Sequence, residues 1–163
     1  MKKLLLLSVL VIFSCSGGDD SSYSSNDNNN NNPSNCDVVY LDSNGITIKA
    51  CPDANIGDVG IVNGVQYTVV DREMLDQMLL NEEDVSKVCT SRITDLSLMT
   101  YDTNNNVLYP FAQSFNQDIS SWDVSNVAHI GAMFYGATNF NQPIGNWDVS
   151  NVSNMEWMFL EAT

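Results

Sequence analysis

Basic side chains are scarce in this 163-residue chain. Six Lys and Arg stand against 20 Asp and Glu, for a net charge of −14 at pH 7. That balance excludes nucleic acid and an anionic lipid surface as partners recognised by charge. Histidine is nearly absent. His129 is the only one and lies forty residues beyond Cys89, so no His/Cys set has metal-ligand spacing and no metal is expected. His129 also lacks a partner repeated beside it in the other copies of the motif described below, which argues against acid–base catalysis. No G-x-S-x-G, phosphate loop or H-E-x-x-H occurs, and "DTNNN" (Asp102–Asn106) lacks the later Gly and Glu of a calcium loop. We therefore expect no catalytic residues, no cofactor and no enzyme activity. Long apolar runs are missing too. The longest, Leu4–Phe13, has ten residues, against about 20 for a membrane-spanning helix.

What the chain does have begins at that run. Lys2 and Lys3 precede it, and it closes on "IFSC", with Ser14 before Cys15. This is a signal-peptide pattern, and its last four residues resemble a bacterial lipobox. Residues 1–14 then read as a cleaved lipoprotein signal and Cys15 as the lipidated residue. Residues 15–35, rich in Asn and Ser and poor in aliphatic side chains, read as a disordered tether. Asp19 and Asp20 resemble the surface-export signal of Bacteroidota-type lipoproteins. The expected location is the cell outer membrane, lipid-anchored and facing outward, with the membrane as a partner through the acyl anchor.

A repeat dominates the other end. "FNQDISSWDVSNVAHIGAMF" (115–134) returns as "FNQPIGNWDVSNVSNMEWMF" (140–159), identical at 12 of 20 positions. The period is fixed: Asn116 recurs as Asn141, Trp122 as Trp147 and Met133 as Met158. A degenerate copy, "SRITDLSLM" (91–99), precedes its counterpart "SNVAHIGAM" (125–133) by one period plus nine extra residues. The extra residues fall in "TYDTNNNVLYP" and read as a loop. A fixed period of about 20–30 residues with apolar slots held in register predicts units that bury their faces against one another. The predicted repeat core is Ile119, Trp122, Val124, Val127, Met133 and Phe134, matched by Ile144, Trp147, Val149, Val152, Met158 and Phe159. Val124–Ile130 reads as a short strand and its continuation into a turn, and Met133–Ala137 as a short helical turn. Asn116, Gln117, Asp123 and Asn126, with Asn141, Gln142, Asp148 and Asn151, read as polar ladders between copies.

Residues 36–80 read as a small capping module. "VVYLDSNGITIKA" (38–50) and "GIVNGVQYTVV" (60–70) each place turn residues between β-formers. Met74, Leu75, Met78 and Leu79 then share a helical face, with Asp71 as N-cap. The overall expectation is an α/β (α+β) solenoid, a leucine-rich-repeat-like stack of these repeats behind a β-hairpin/helix cap. The division is 1–14, 15–35, 36–80 and 81–163, the last holding one degenerate repeat, one complete and one begun. Because no counterpart of "NFNQPIGNWDVSNV" follows Thr163, a truncated longer repeat protein is expected, with self-capping through a dimer as the alternative.

The run "MFYGATNFNQPIGNWDVSNV" (133–152) resembles the BspA-like leucine-rich-repeat surface proteins, a pattern also found in mycoplasma surface lipoproteins, and "YLDSNGITIKACPDANIGDVGIVNGVQYTVVDREMLDQML" (40–79) is similar to the module that often precedes such repeats. The resemblance implies adhesion, with extracellular host or neighbouring-cell proteins as partners. The alternatives are a structural envelope or biofilm component, or a scaffold presenting a further domain. For the cysteines two pairings stand. Cys51–Cys89 is favoured, by its longer closed loop and by similarity to related caps; Cys36–Cys51 is the alternative.

Overall fold

The computed structural model describes residues 36–163. The expected signal, the expected lipidation at Cys15 and the expected tether lie outside the described residues.

The chain enters through two hairpins. β1 (Val39–Leu41) pairs antiparallel with β2 (Ile48–Ala50). Asn44 orders the turn: its carboxamide oxygen accepts from the Ile46 and Thr47 amides, each at 2.9 Å. β3 (Val59–Val62) pairs with β4 (Val65–Val69) across Asn63 and Gly64. Both turn residues have positive φ, 51° and 79°, the left-handed conformation that Asn and Gly tolerate and a tight hairpin needs. Asp71 ends the second hairpin and starts α1 (Arg72–Leu80), its carboxylate accepting from the Met74 amide at 2.8 Å. Leu75 and Leu79 turn inward. β5 (Val88–Cys89) joins β4 in parallel, so the module shares a sheet with the segment that follows it.

The repeat region corrects the expected solenoid. Regular structure consists of small sheets, mostly antiparallel, and one helix, with no strand-and-helix unit recurring through the repeats. Val124–Ile130 is not a strand: copies touch in β-fashion only through the isolated parallel bridges Asp95–His129 and His129–Asn154. Met133–Ala137 is a run of turns rather than helix. The physical reason is a turn inside the expected strand, where the Val127 amide donates to the Val124 carbonyl at 2.9 Å and the Ser125 amide to Asp123 at 3.1 Å, and a left-handed residue just beyond it. Leu98, Ala132 and Trp157, one slot in three copies, have φ of 56°, 52° and 59°, which neither a strand nor a right-handed helix accepts. Asp-x-Ser turns break the rest. Asp118 accepts from the Ser120 amide and Asp148 from the Ser150 amide, at 3.0 and 3.1 Å.

Adjoining copies are nevertheless bonded through their backbones, in both directions: the amides of Ala128 and Ser153 donate back to the carbonyls of Thr94 and Ala128, each at 2.8 Å. The amides of Ile130, Ala132, Phe134 and Gly136 donate to the carbonyls of Asn154, Glu156, Met158 and Leu160, each at 2.9 Å. Leu96 and Leu98 donate likewise to His129 and Gly131. On the first copy the carbonyls of Asp95 and Ser97 accept from the Arg72 guanidinium of α1, at 3.1 and 2.9 Å. The nine extra residues form a third hairpin, β6 (Tyr101–Asp102) with β7 (Val107–Leu108). Its Leu108 side chain fills the space where a Cβ on Gly136 would fall, 2.6 Å from the nearest methyl.

The main core joins α1 to both copies through Leu75, Leu79, Ile93, Met99, Trp122, Met133 and Phe134. A smaller one, around Val39, Ile48 and Val69, sits under the first hairpins. Phenylalanines in matching slots of neighbouring copies form a column. Phe134 lies 4.0 Å from Phe140 and 5.4 Å from Phe159, between ring centroids, and Phe115 stacks on Phe140.

The favoured disulfide is also corrected. Cys36 is bonded to Cys51, and Cys89 is a buried free thiol. The β1–β2 register sets Val39 opposite Ala50, which carries the residues flanking that hairpin to a Cα separation of 6.0 Å, within bridging range.

Candidate functional site

The predicted core residues divide by copy. Ile119, Trp122, Val124, Val127, Met133 and Phe134 are all buried. In the next copy Trp147 is buried, Ile144, Val152 and Met158 are half-buried, and Val149 and Phe159 are exposed. Trp122 and Trp147 do not stack ring on ring; Trp147 stacks on Phe134, 6.4 Å between centroids. Each indole N–H instead donates one copy back, Trp122 to the Val85 carbonyl at 3.0 Å and Trp147 to the Ile119 carbonyl at 3.2 Å.

The polar residues held in both copies bond mainly to backbone. Asn126 donates to the Ser91 carbonyl at 3.1 Å, and Asn151 to the Ser125 carbonyl at 2.7 Å. Gln117 spans the carbonyl of Glu83 and the amide of Val85. Gln142 donates to the backbone and side-chain oxygens of Asn116, and the Asn141 amide donates to that same side chain. Asp123 is buried and accepts from the hydroxyls of Ser91 and Ser125, at 2.5 and 2.6 Å. Asp148, its counterpart, is exposed, and hydrogen bonds from Ser150 hold its carboxyl below the usual range. These side chains fasten one copy to the next. His129 is exposed and serves through its backbone. Among the described residues no three His, Cys, Asp or Glu gather to hold a metal, and no helix is long and apolar enough to cross a membrane.

The exposed chemistry lies elsewhere. A groove of about 390 Å³ runs between the third hairpin and the left-handed slots of the copies, lined by Leu98, Tyr101, Thr103, Asn106, Ala132, Tyr135, Trp157 and Leu160. The Tyr101 and Tyr135 rings meet edge to face, 5.3 Å between centroids, and the Tyr101 hydroxyl donates to Asn106 at 2.8 Å. Burial and a hydrogen bond to Glu161 raise the Tyr135 phenol above its ordinary pKa. Trp157 is 69% exposed where Trp122 is fully buried. A left-handed Leu or Trp costs about 1 kcal/mol or more. Here that conformation turns the side chain out of the core and into the groove.

Sequence reasoning passed over Tyr101, Tyr135 and Asn106. For Tyr101 and Asn106 the signal was the placement of the extra nine residues; Tyr135 lies inside a copy, at a position held by Leu160 in the next. Trp157 stands in the slot of Leu98 and Ala132.

The groove has aromatic walls and polar edges. No curated protein and no solved structure matches the chain. A family model does match, over residues 71–163. That span is more than half of the chain and takes in α1, the third hairpin and every copy of the repeat, so the chain belongs to the family described as Mycoplasma protein of unknown function, DUF285.

Proposed function

We propose that the chain is a surface-exposed lipoprotein whose repeat region binds proteins of a host or neighbouring cell, without catalysis. The observation that carries this reading is the groove itself. Tyr101, Tyr135 and Trp157 present aromatic surface to solvent from positions fixed by inter-copy hydrogen bonds. Exposed aromatic clusters of this kind are the usual anchors of protein recognition. The strong acidity of the chain and the lipobox-like "IFSC" ending at Cys15 support a solvated, outward-facing, membrane-anchored setting, to which the family membership adds compatibility.

Two experiments test it. Cells expressing the full chain should carry it in the membrane fraction, accessible to added protease, and Cys15→Ala should release it or block its processing. The same cells should attach to surfaces coated with host matrix proteins, and Tyr101→Ser with Tyr135→Ser should lower attachment without loss of folded protein. Attachment equal to that of cells lacking the chain would refute the adhesion reading.

A further inference from the structure

Negative charge and aromatic surface coincide at the groove. From residue 93 to residue 163 the chain holds seven Asp and Glu and no Lys or Arg. One guanidinium reaches this region from α1, that of Arg72, and it is engaged by Asp76 and by two backbone carbonyls. None of the residues lining the groove is charged, but carboxylates stand beside its walls. Asp102 lies between the lining residues Tyr101 and Thr103. Hydrogen bonds from the Asn105 side chain and from the Asn104 and Asn105 amides lower its pKa and keep it ionised. Glu161 bears on the Tyr135 phenol closely enough to help raise its pKa. A hollow with a negative rim and no cation of its own attracts a positive group.

The walls select which positive group. Tyr101 and Tyr135 meet edge to face at 5.3 Å and are both half-buried, so each ring leaves part of its π surface to the groove. A cation over an aromatic face is drawn by the ring quadrupole, more strongly where it is desolvated. The Asn106 carboxamide oxygen takes one bond from the Tyr101 hydroxyl and has a second lone pair for a donor from outside. A guanidinium is planar, stacks on rings and donates from several edges at once. An ammonium is a compact, strongly hydrated point charge. The volume of about 390 Å³ takes the planar head with its methylene stem. These walls do not depend on residues 150–161. Tyr101 belongs to the third hairpin, and Tyr135 to the copy at 125–136, which is backbone-bonded to a copy on either side. We propose that this groove receives an arginine side chain from an exposed segment of the partner protein, its guanidinium stacked on Tyr101 and Tyr135, donating to Asn106 and balanced in charge by Asp102. This rests on the reading of the groove as a protein-binding surface and names the chemistry that it recognises.

The test uses the full chain and three synthetic peptides: acetyl-GRGRGRGR-amide, the same peptide with citrulline, an uncharged isostere, at each arginine, and acetyl-GKGKGKGK-amide. Saturable binding of the arginine peptide by calorimetry is expected, weakening as salt is added. The citrulline peptide should bind at least about tenfold more weakly and the lysine peptide about threefold more weakly. Tyr101→Leu removes the π surface and should weaken arginine binding about tenfold, whereas Tyr101→Phe keeps the ring and should hold it within about twofold. Asp102→Asn should weaken it about threefold. Asp118→Asn, an equal change of charge at a different hollow shared with Glu82 and Asp84, should leave it unchanged. No saturation up to about 1 mM peptide, equal binding of the arginine peptide and either of the others, or full affinity in Tyr101→Leu would each overturn the proposal. So would an equal loss in the two aspartate variants, which would reveal general attraction to an acidic chain. Attachment lowered by the tyrosine variants while no peptide binds would overturn the arginine site and leave the adhesion reading standing. Peptide binding as expected, with attachment equal to that of cells lacking the chain, would keep the site and refute adhesion.

Discussion

The indole N–H of Trp147 donates to the carbonyl of Ile119, 3.2 Å away and one copy back, and Trp122 does the same to Val85. Each tryptophan thus fills the core and fastens the backbone of its neighbour. Trp122→Ala, at a fully buried site, should cost about 3–5 kcal/mol in urea unfolding. Trp147→Phe keeps most of the volume and removes the donor, and should cost about 1 kcal/mol. A Trp122→Ala midpoint equal to that of the parent chain would show the core to be wrongly assigned.

Arg72 closes the exposed carbonyls of the first copy and is itself held by Asp76 at 2.8 Å. Its side chain is partly exposed, so the bonds are discounted for solvent. Arg72→Met should lower stability by about 1–2 kcal/mol. Arg72→Lys should recover little, because one ammonium does not reproduce the forked set of contacts. Equal stability of the Lys variant and the parent would contradict this geometry.

The three described cysteines should behave unequally. Cys36→Ser or Cys51→Ser opens a short loop and should cost about 2–4 kcal/mol. Burial raises the pKa of the Cys89 thiol and keeps reagents away. Its peptide should stay unmodified by iodoacetamide in the native chain and react once urea unfolds it. Mass mapping of rapid native alkylation at Cys89, or of a Cys51–Cys89 peptide pair, would contradict the observed pairing.

Acid should weaken the protein through its Asp-x-Ser turns. Hydrogen bonds from the serine two residues on lower the pKa of Asp84, Asp118 and Asp148. A carboxyl depressed in the folded state binds fewer protons there than in the unfolded chain. Its contribution is therefore complete above the unfolded value of about 3.9 and fades as the pH falls through the lower folded values. The thermal midpoint should be level in this respect from pH 7 to about 5 and drop below about 4. In the triple variant Ser86→Ala, Ser120→Ala, Ser150→Ala that drop should be shallower. An unchanged slope would show that the serines do not set it.

Local chemistry made the first hairpins and α1 legible. Asn63-Gly64 demands a left-handed turn between β-formers, and Asp71 offers its carboxylate just where the helical pattern begins. Burial within the first complete copy followed from slots held in register, Trp122 with Trp147 and Val127 with Val152. The backbone of the repeats did not. Hydrophobic spacing records which side chains face inward, and it is silent on whether the chain between them runs straight or folds through a left-handed residue. Val124, Val127 and Ile130 are strand-formers, so a strand was expected where the Val127 amide closes a turn on the Val124 carbonyl, and nothing in Leu98, Ala132 or Trp157 signals the positive φ beyond it. The groove escaped for a related reason. Of its aromatic walls Tyr101 comes from the stretch that departs from the repeat, which a search for regularity sets aside, and Tyr135 and Trp157 stand at positions where the copies differ. The cysteine pairing turned on hairpin register, which chain-entropy reasoning does not contain.

The third hairpin leaves and rejoins the repeat at one place. The Thr100 carbonyl accepts from the Tyr109 amide at 2.9 Å, and the Thr100 hydroxyl donates to the Tyr135 carbonyl at 2.8 Å. Everything between Thr100 and Tyr109 is an excursion that the inter-copy bonds do not need. Natural variation is thus free to rewrite this stretch in length and sequence while the frame beneath it keeps its register, as antibody loops vary on a constant framework. A relative carrying a different insert at this junction would present a different wall to the same groove.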